Sequence, residues 1–323
     1  MSHVLLFAFL LPGVIGVSGA AARSGEAPVT NINKAGATRI KVPGDWLAAG
    51  AGSVWLSDPP AKVIRRLNAH TGRTVATIRV RQLPCEAPDV GFGALWTATC
   101  ESPGLARIDA RSHKIRHLRL AIPTSVNEGE ASIGAGAGGV WLVVDGRDCL
   151  ACRVVRVAPT SLRVVASIRV SEFAAAVRVG QGAVWVTNPA KNVVQKIDPR
   201  TNRVVATTKV GRAPRFLAVG EGGVWTLNQQ DGSVTHLDPT SAKVVANIKA
   251  GIVGDGGDMA AGGGWIWARG TDRLLTRIDP RNNRVVERYG PPSGSGGATV
   301  GFGAVWVSAH DIRTVWRLPQ PRR

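Results

Sequence analysis

The sequence predicts an all-β protein, a seven-bladed β-propeller whose N-terminal strand closes the last blade. Two recurring elements and the composition carry that expectation. A Gly-small-aliphatic-Trp element ends at Trp55, Trp96, Trp141, Trp185, Trp225, Trp267 and Trp306, with spacings of 41, 45, 44, 40, 42 and 39 residues. About a dozen residues after each Trp comes a second element, cleanest as Lys196-Ile197-Asp198-Pro199-Arg200-Thr201-Asn202-Arg203-Val204-Val205 and Arg277-Ile278-Asp279-Pro280-Arg281-Asn282-Asn283-Arg284-Val285-Val286. With 39 Gly and ten Trp but one Tyr and two Met, the 323-residue chain is built for short strands and many turns rather than a helical bundle.

Each copy reads as four strands. An inner strand such as Phe216-Leu217-Ala218-Val219 ends at a Gly turn, a second strand carries Val-Trp, and a third ends at Ile-Asp. The Asp-Pro turn then leads into a Val-Val outer strand. Asp at the first turn position accepts backbone N–H groups and Pro at the second presets φ, so these Asp residues are structural. Four strands in roughly 42 residues is a propeller blade, with the Trp as the large apolar filler between blades.

The count predicts closure as well. After Trp306 the chain supplies only Thr314-Val315-Trp316-Arg317-Leu318 as a third strand, while Ala37-Thr38-Arg39-Ile40-Lys41-Val42 matches outer strands such as Ala76-Thr77-Ile78-Arg79-Val80. The N-terminal segment therefore completes blade seven and removes an open edge. The domain reading is residues 1–22 signal peptide, 23–35 linker, 36–319 propeller and 320–323 tail. The signal peptide rests on the apolar run Val4 to Val17 and the small residues Ser18 to Ala22. That run is too short for a comfortable span, and no later stretch approaches 18 apolar residues. The mature chain is expected to be secreted or extracytoplasmic, monomeric and without a membrane span.

An even number of cysteines in an exported chain favours disulfides over a metal site. Four cysteines allow three pairings. Loops from an outer strand to the next inner strand share a face with loops between second and third strands. That placement favours Cys85 with Cys100 and Cys149 with Cys152.

Val184-Trp185-Val186-Thr187-Asn188 followed by Ile197-Asp198-Pro199 resembles the repeat of YVTN or YncE-like seven-bladed propellers. The mature chain is also similar to the streptogramin (virginiamycin B) lyase superfamily. Those resemblances imply the propeller fold and either a binding role or a magnesium-dependent elimination by converging His and Glu side chains. His236 shares its repeat position with Arg66, Arg107, Arg156, Lys196, Arg277 and Arg317, which makes it one of a basic surface column. His70, His113 and His117 fall in outer turns and hairpins. Only His310 sits in a mouth-side loop, and no His-x-Glu accompanies it. The lyase constellation is absent from the sequence, so catalytic residues remain unassigned. No metal site or cofactor is expected, magnesium entering only under the lyase alternative.

The chain carries 40 Lys+Arg against 22 Asp+Glu, a formal charge of +18. Many bases alternate along outer strands: Arg73 and Arg79, Arg163 and Arg169, Arg203 and Lys209, Lys243 and Lys249, Arg284 and Arg288. One reading is protection of exposed edges, the other attraction to an anionic polymer. A specific nucleic-acid groove is not expected, because the Trp residues belong to the core element rather than alternating with bases on a surface. The expected role is a binding or interaction module whose partner is an anionic cell-wall polymer or an extracellular protein. Trp46, Arg215, Phe216, Asp258 and His310 are the candidate ligand-binding residues at the propeller mouth.

Overall fold

The computed structural model describes residues 27–85, 87–99, 104–120, 132–144 and 152–321. The proposed signal peptide, Cys100 and Cys149 lie outside the described residues. The described chain is all-β, arranged as seven blades around a channel. Blade one comprises strands Leu47–Gly50, Ser53–Asp58, Val63–Asn68 and Thr74–Arg79, and every later blade repeats that up-and-down order.

Seven hydrophobic clusters lie between blades, and a signature Trp anchors each. Trp55 packs with Leu95 and Ile108 of blade two, Trp185 with Val224 and Leu237 of blade five, and Trp267 with Val305 and Val307 of blade seven. Trp306 meets Val54, Leu56 and Leu67 of blade one, so the ring closes through the same contact that builds it. Each indole N–H also needs an acceptor once buried. In six blades it donates to the carbonyl five residues back: Trp55 to Gly50 at 3.1 Å, Trp96 to Gly91 at 2.9 Å and Trp225 to Gly220 at 3.1 Å are examples.

The basic column has a defined place. Arg66, Arg107, Arg156, Lys196 and Arg317 lie over the signature Trp of their own blades, at 4.9 to 5.9 Å from the ring centroid. In blade six, Arg277 lies 4.6 Å from the neighbouring Trp265 instead. His236 stacks on Trp225 at 3.7 Å. Several members also grip the outer turn of the next blade: Arg156 donates to Pro199 O at 2.8 Å, Lys196 to Pro239 O at 2.7 Å, and His236 contacts Asn283 Oδ1 at 2.8 Å. Their positive charge serves blade-to-blade docking, a use that the sequence reading of a surface column does not include.

The Asp-Pro turns form as expected. Asp198 Oδ1 accepts Arg200 N at 2.8 Å, and Asn202, in the left-handed region at φ 54°, donates its N–H back to Asp198 O at 2.8 Å. Backbone N–H donation first of all holds the Asp198 carboxyl below its ordinary value, and the Ser112 N–H and hydroxyl bring Asp109 to about 2.

Strand Thr38–Lys41 pairs antiparallel with Thr314–Pro319 and completes blade seven. One feature corrects the linker assignment. Residues Val29–Asn31 form a fifth strand on blade six, parallel to its outer strand, with Val29 opposite Arg288. Ile32 follows it into the core beside Trp265, Tyr289 and Trp316, and Trp316 Nε1 donates to Asn33 Oδ1 at 3.1 Å. Arg288 is consequently buried, donating to Ala250 O at 2.8 Å, and does not join Arg284 on the rim. An added strand at an outer edge leaves no periodic trace in three residues.

Candidate functional site

The residue opposite each signature Trp on the inner strand is Ala48, Asp89, Gly134, Arg178, Ala218, Ala260 or Thr299, in blade order. Inner strands crowd together around the axis, so small side chains are the natural occupants there. A Cβ on Gly134 would meet Val179 Cγ2 at 2.9 Å, for instance. Blades two and four break the rule with a carboxylate and a guanidinium. Asp258, one layer nearer the loop face on blade six, adds a second carboxylate. A cavity of about 140 Å3 is lined by Asp89, Arg178, Met259, Ala260, Ala298 and Thr299 among others.

Both carboxylates are fixed by backbone donors. Asp89 Oδ1 accepts Val90 N at 2.8 Å and Oδ2 accepts Ala135 N of blade three at 2.8 Å. Asp258 repeats the arrangement, Oδ1 with Met259 N at 2.8 Å and Oδ2 with Ala298 N of blade seven at 3.0 Å. Arg178 is held through Nη1, which donates to Ile133 O at 3.0 Å, while its Nη2 stands 3.7 Å from Asp258 Oδ1. Burial raises both acids, Asp258 to about 6, and the Arg178 charge opposes the shift in each.

The five residues nominated from the sequence have separate fates. Trp46 and Phe216 come together from blades one and five, ring centroids 6.3 Å apart, each 2% exposed and packed with Ala87 and Met259. They fill the loop end of the channel rather than standing at an open mouth, because the rings bury against each other. Asp258 is 2% exposed and stands beside Arg178, outside the residues that line the 140 Å3 cavity. Arg215 is half-buried, its Nη1 3.5 Å from Asp255 O. His310 sits at the seam of blades one and seven, its Nδ1 3.7 Å from Asp45 Oδ1. That contact, more than any other, raises its pKa. Pro43, Asp45, Asp58, Pro59, His310 and Arg313 line a cleft of about 610 Å3 there. Asp45 and Asp258 also act on the buried Arg269, whose pKa burial lowers to about 10.

Asp89 and Arg178 are the residues that the sequence reading did not nominate. Their signal was present: aligning the copies on Trp puts the only two charged residues at a position otherwise occupied by Ala, Gly or Thr. Neither Cys85 nor Cys152 is a free thiol, and the partners assigned to them lie outside the described residues. Among the described residues no group of three or more His, Cys, Asp or Glu side chains could hold a metal ion, so no step through magnesium is derived.

No protein-family model matches the chain, and no curated protein matches it either. Solved structures do. Hydrazine synthase of Kuenenia stuttgartiensis is similar with a TM-score of 0.69 at 14% identity, covering 87% of this chain and 97% of that one. The Pan2 WD40 domain of Neurospora crassa has a TM-score of 0.66 at 10% identity, covering 87% and 90%. BamB from Moraxella catarrhalis has a TM-score of 0.61 at 13% identity, covering 86% and 85%. At such identities the likeness carries the propeller fold and no activity.

Proposed function

We propose that this protein is an exported binding module that adheres through its rim to anionic polymer of the cell envelope. The observation that supports this reading is one exposed row repeated on four outer strands. Arg73, Val75, Thr77 and Arg79 form it on blade one, and Arg163, Val165, Ser167 and Arg169 on blade three. Arg203, Val205, Thr207 and Lys209 form it on blade four, and Lys243, Val245, Asn247 and Lys249 on blade five. The central Val residues are 53 to 56% exposed, so the rows face solvent rather than a neighbouring blade. Two bases six residues apart span about 20 Å along a strand, at about 3.3 Å per residue. A flexible polyanion can meet such rows in succession, and a chain of charge +18 attracts it from a distance.

Cys85 with Cys100 and Cys149 with Cys152 are the proposed disulfides, in keeping with an oxidising compartment. The resemblance to YVTN-type repeats agrees with a binding role. The test is binding to polyphosphate across a salt series. The expected result is affinity that falls steeply and smoothly with salt, with the joint change of Arg203, Lys209, Lys243 and Lys249 to Gln lowering both affinity and slope. Salt-resistant binding that vanishes on His310→Ala alone would overturn the proposal.

A further inference from the structure

We infer that a cleft between blades two and three binds an organic phosphate monoester, its dianionic head between Arg107 and Arg116 and its apolar body against Phe92 and Pro159. Arg107 is the basic-column residue of blade two, and Arg116 of the outer strand stands directly opposite it. Residues paired in this way share one face of the sheet, where like charges repel. In the other blades the position opposite the column base is Ala76, Ala166, Ala206, Ala246, Glu287 or Thr38. Four of these are Ala, and Glu287 pairs with its base Arg277 at 2.9 Å. Blade two alone sets guanidinium against guanidinium, a repulsion that the fold does not need and that a bound anion would relieve.

Arg107 is also left over from blade docking. Arg66 reaches His113 of blade two at 3.4 Å, and Arg156 and Lys196 donate to carbonyls of the next outer turn. Among the described residues Arg107 makes no such bond to blade three. There Arg116 takes the carbonyl instead, its Nη1 donating to Thr160 O at 3.0 Å, which uses one of several guanidinium N–H donors. The acid beside Arg107 is Asp109 of its own blade, at a long 3.5 Å. Asp109 Oδ1 is already committed to Arg111 N, Ser112 N and Ser112 Oγ. Phe92, Arg107, Arg116, Gly138, Pro159 and Thr160 line the space that results, a cleft of about 390 Å3 without an acidic side chain in its wall.

Charge and size then select the ligand. A guanidinium fork matches phosphate oxygens two at a time, and two forks match a dianion, whereas a lone carboxylate leaves one fork unmatched. A volume of about 390 Å3 is that of a small-molecule site rather than of a bare ion. Phe92, 44% exposed, offers ring surface to an apolar body. Neither arginine belongs to the exposed rows of blades one, three, four and five, so the site goes beyond rim adhesion.

Titration calorimetry of the full chain with phenyl phosphate, inorganic phosphate and benzoate, at pH 7.5 and physiological salt, tests the inference. Phenyl phosphate should bind, with the other two at least tenfold weaker. Arg116→Ala gives blade two the residue that four other blades carry, so the variant should fold and yet lose tenfold or more in affinity. Arg107→Lys, which keeps the charge and loses the fork, should lose as much. Phenyl phosphate should raise the melting temperature of the unaltered protein and leave that of Arg116→Ala unchanged. The joint rim variant should bind phenyl phosphate normally while it loses polyphosphate, which separates this site from polymer adhesion. Absence of phenyl phosphate binding at millimolar concentration, equal affinity for benzoate or inorganic phosphate, or an Arg116→Ala protein that binds unchanged would overturn it.

Discussion

Each signature Trp makes an apolar contact with the next blade and, in six blades, a hydrogen bond to its own inner strand, with a cation or imidazole over its face in most blades. Trp185, with Lys196 Nζ 5.4 Å from its ring, shows how those parts divide. Trp185→Ala should cost about 3–5 kcal/mol through the cavity it leaves. Lys196→Met keeps the packing and loses the cation–π contact and two carbonyl acceptors, so about 1–2 kcal/mol is expected. Chemical denaturation of both variants measures the ratio. The buried acid gives a second residue-scale prediction. A folded pKa of about 6 for Asp258, above its ordinary 3.8, means that the folded state binds the extra proton between those values. That contribution to stability is full below the unfolded pKa and fades as pH rises through about 6. His310, also raised, contributes with the same sign but is half-exposed and screened. The melting temperature should therefore fall between pH 5 and 7.5, and the fall should shrink in Asp258→Asn.

Two strands near the N-terminus act on two different blades. Thr38–Lys41 supplies a missing outer strand, whereas Val29–Asn31 adds a fifth to a blade already complete. Removing residues 24–42 should lower the melting temperature of the whole ring, because blade seven loses its outer strand and the ring reopens. Removing 24–35 alone should cost less, chiefly the burial of Ile32, for which about 2–5 kcal/mol is expected. Equal losses for the two deletions would show that closure does not depend on the second strand. Peptide mapping of protein from an oxidising compartment should link Cys85 to Cys100, with no titratable thiol.

At the scale of the whole molecule, the rim and the axis carry charge in different ways. Rim bases are exposed and repeated, so their effect on a polyanion is additive and screened within about 8–10 Å at physiological ionic strength. A salt series with polyphosphate should therefore give one steep line, shallower in the joint rim variant.

The number of blades, the strand that closes the ring and the structural role of the Asp-Pro turns were all legible in the amino-acid sequence. Each of these is written in a local period or a short-range hydrogen bond, which the chain repeats often enough to be read. It also nominated Asp258 for the loop-face mouth. Packing of the blades, not the sequence pattern, set the basic column on the Trp faces and the next blade's turns and laid residues 29–31 along the edge of blade six. It decided too that Trp46 and Phe216 bury against each other, that Asp89 of blade two and Arg178 of blade four line one cavity, and that Asp258 of blade six comes within 3.7 Å of Arg178. Those neighbours meet only because ring closure gathers seven inner strands around an axis, and no local pattern in the chain specifies which side chains will share it.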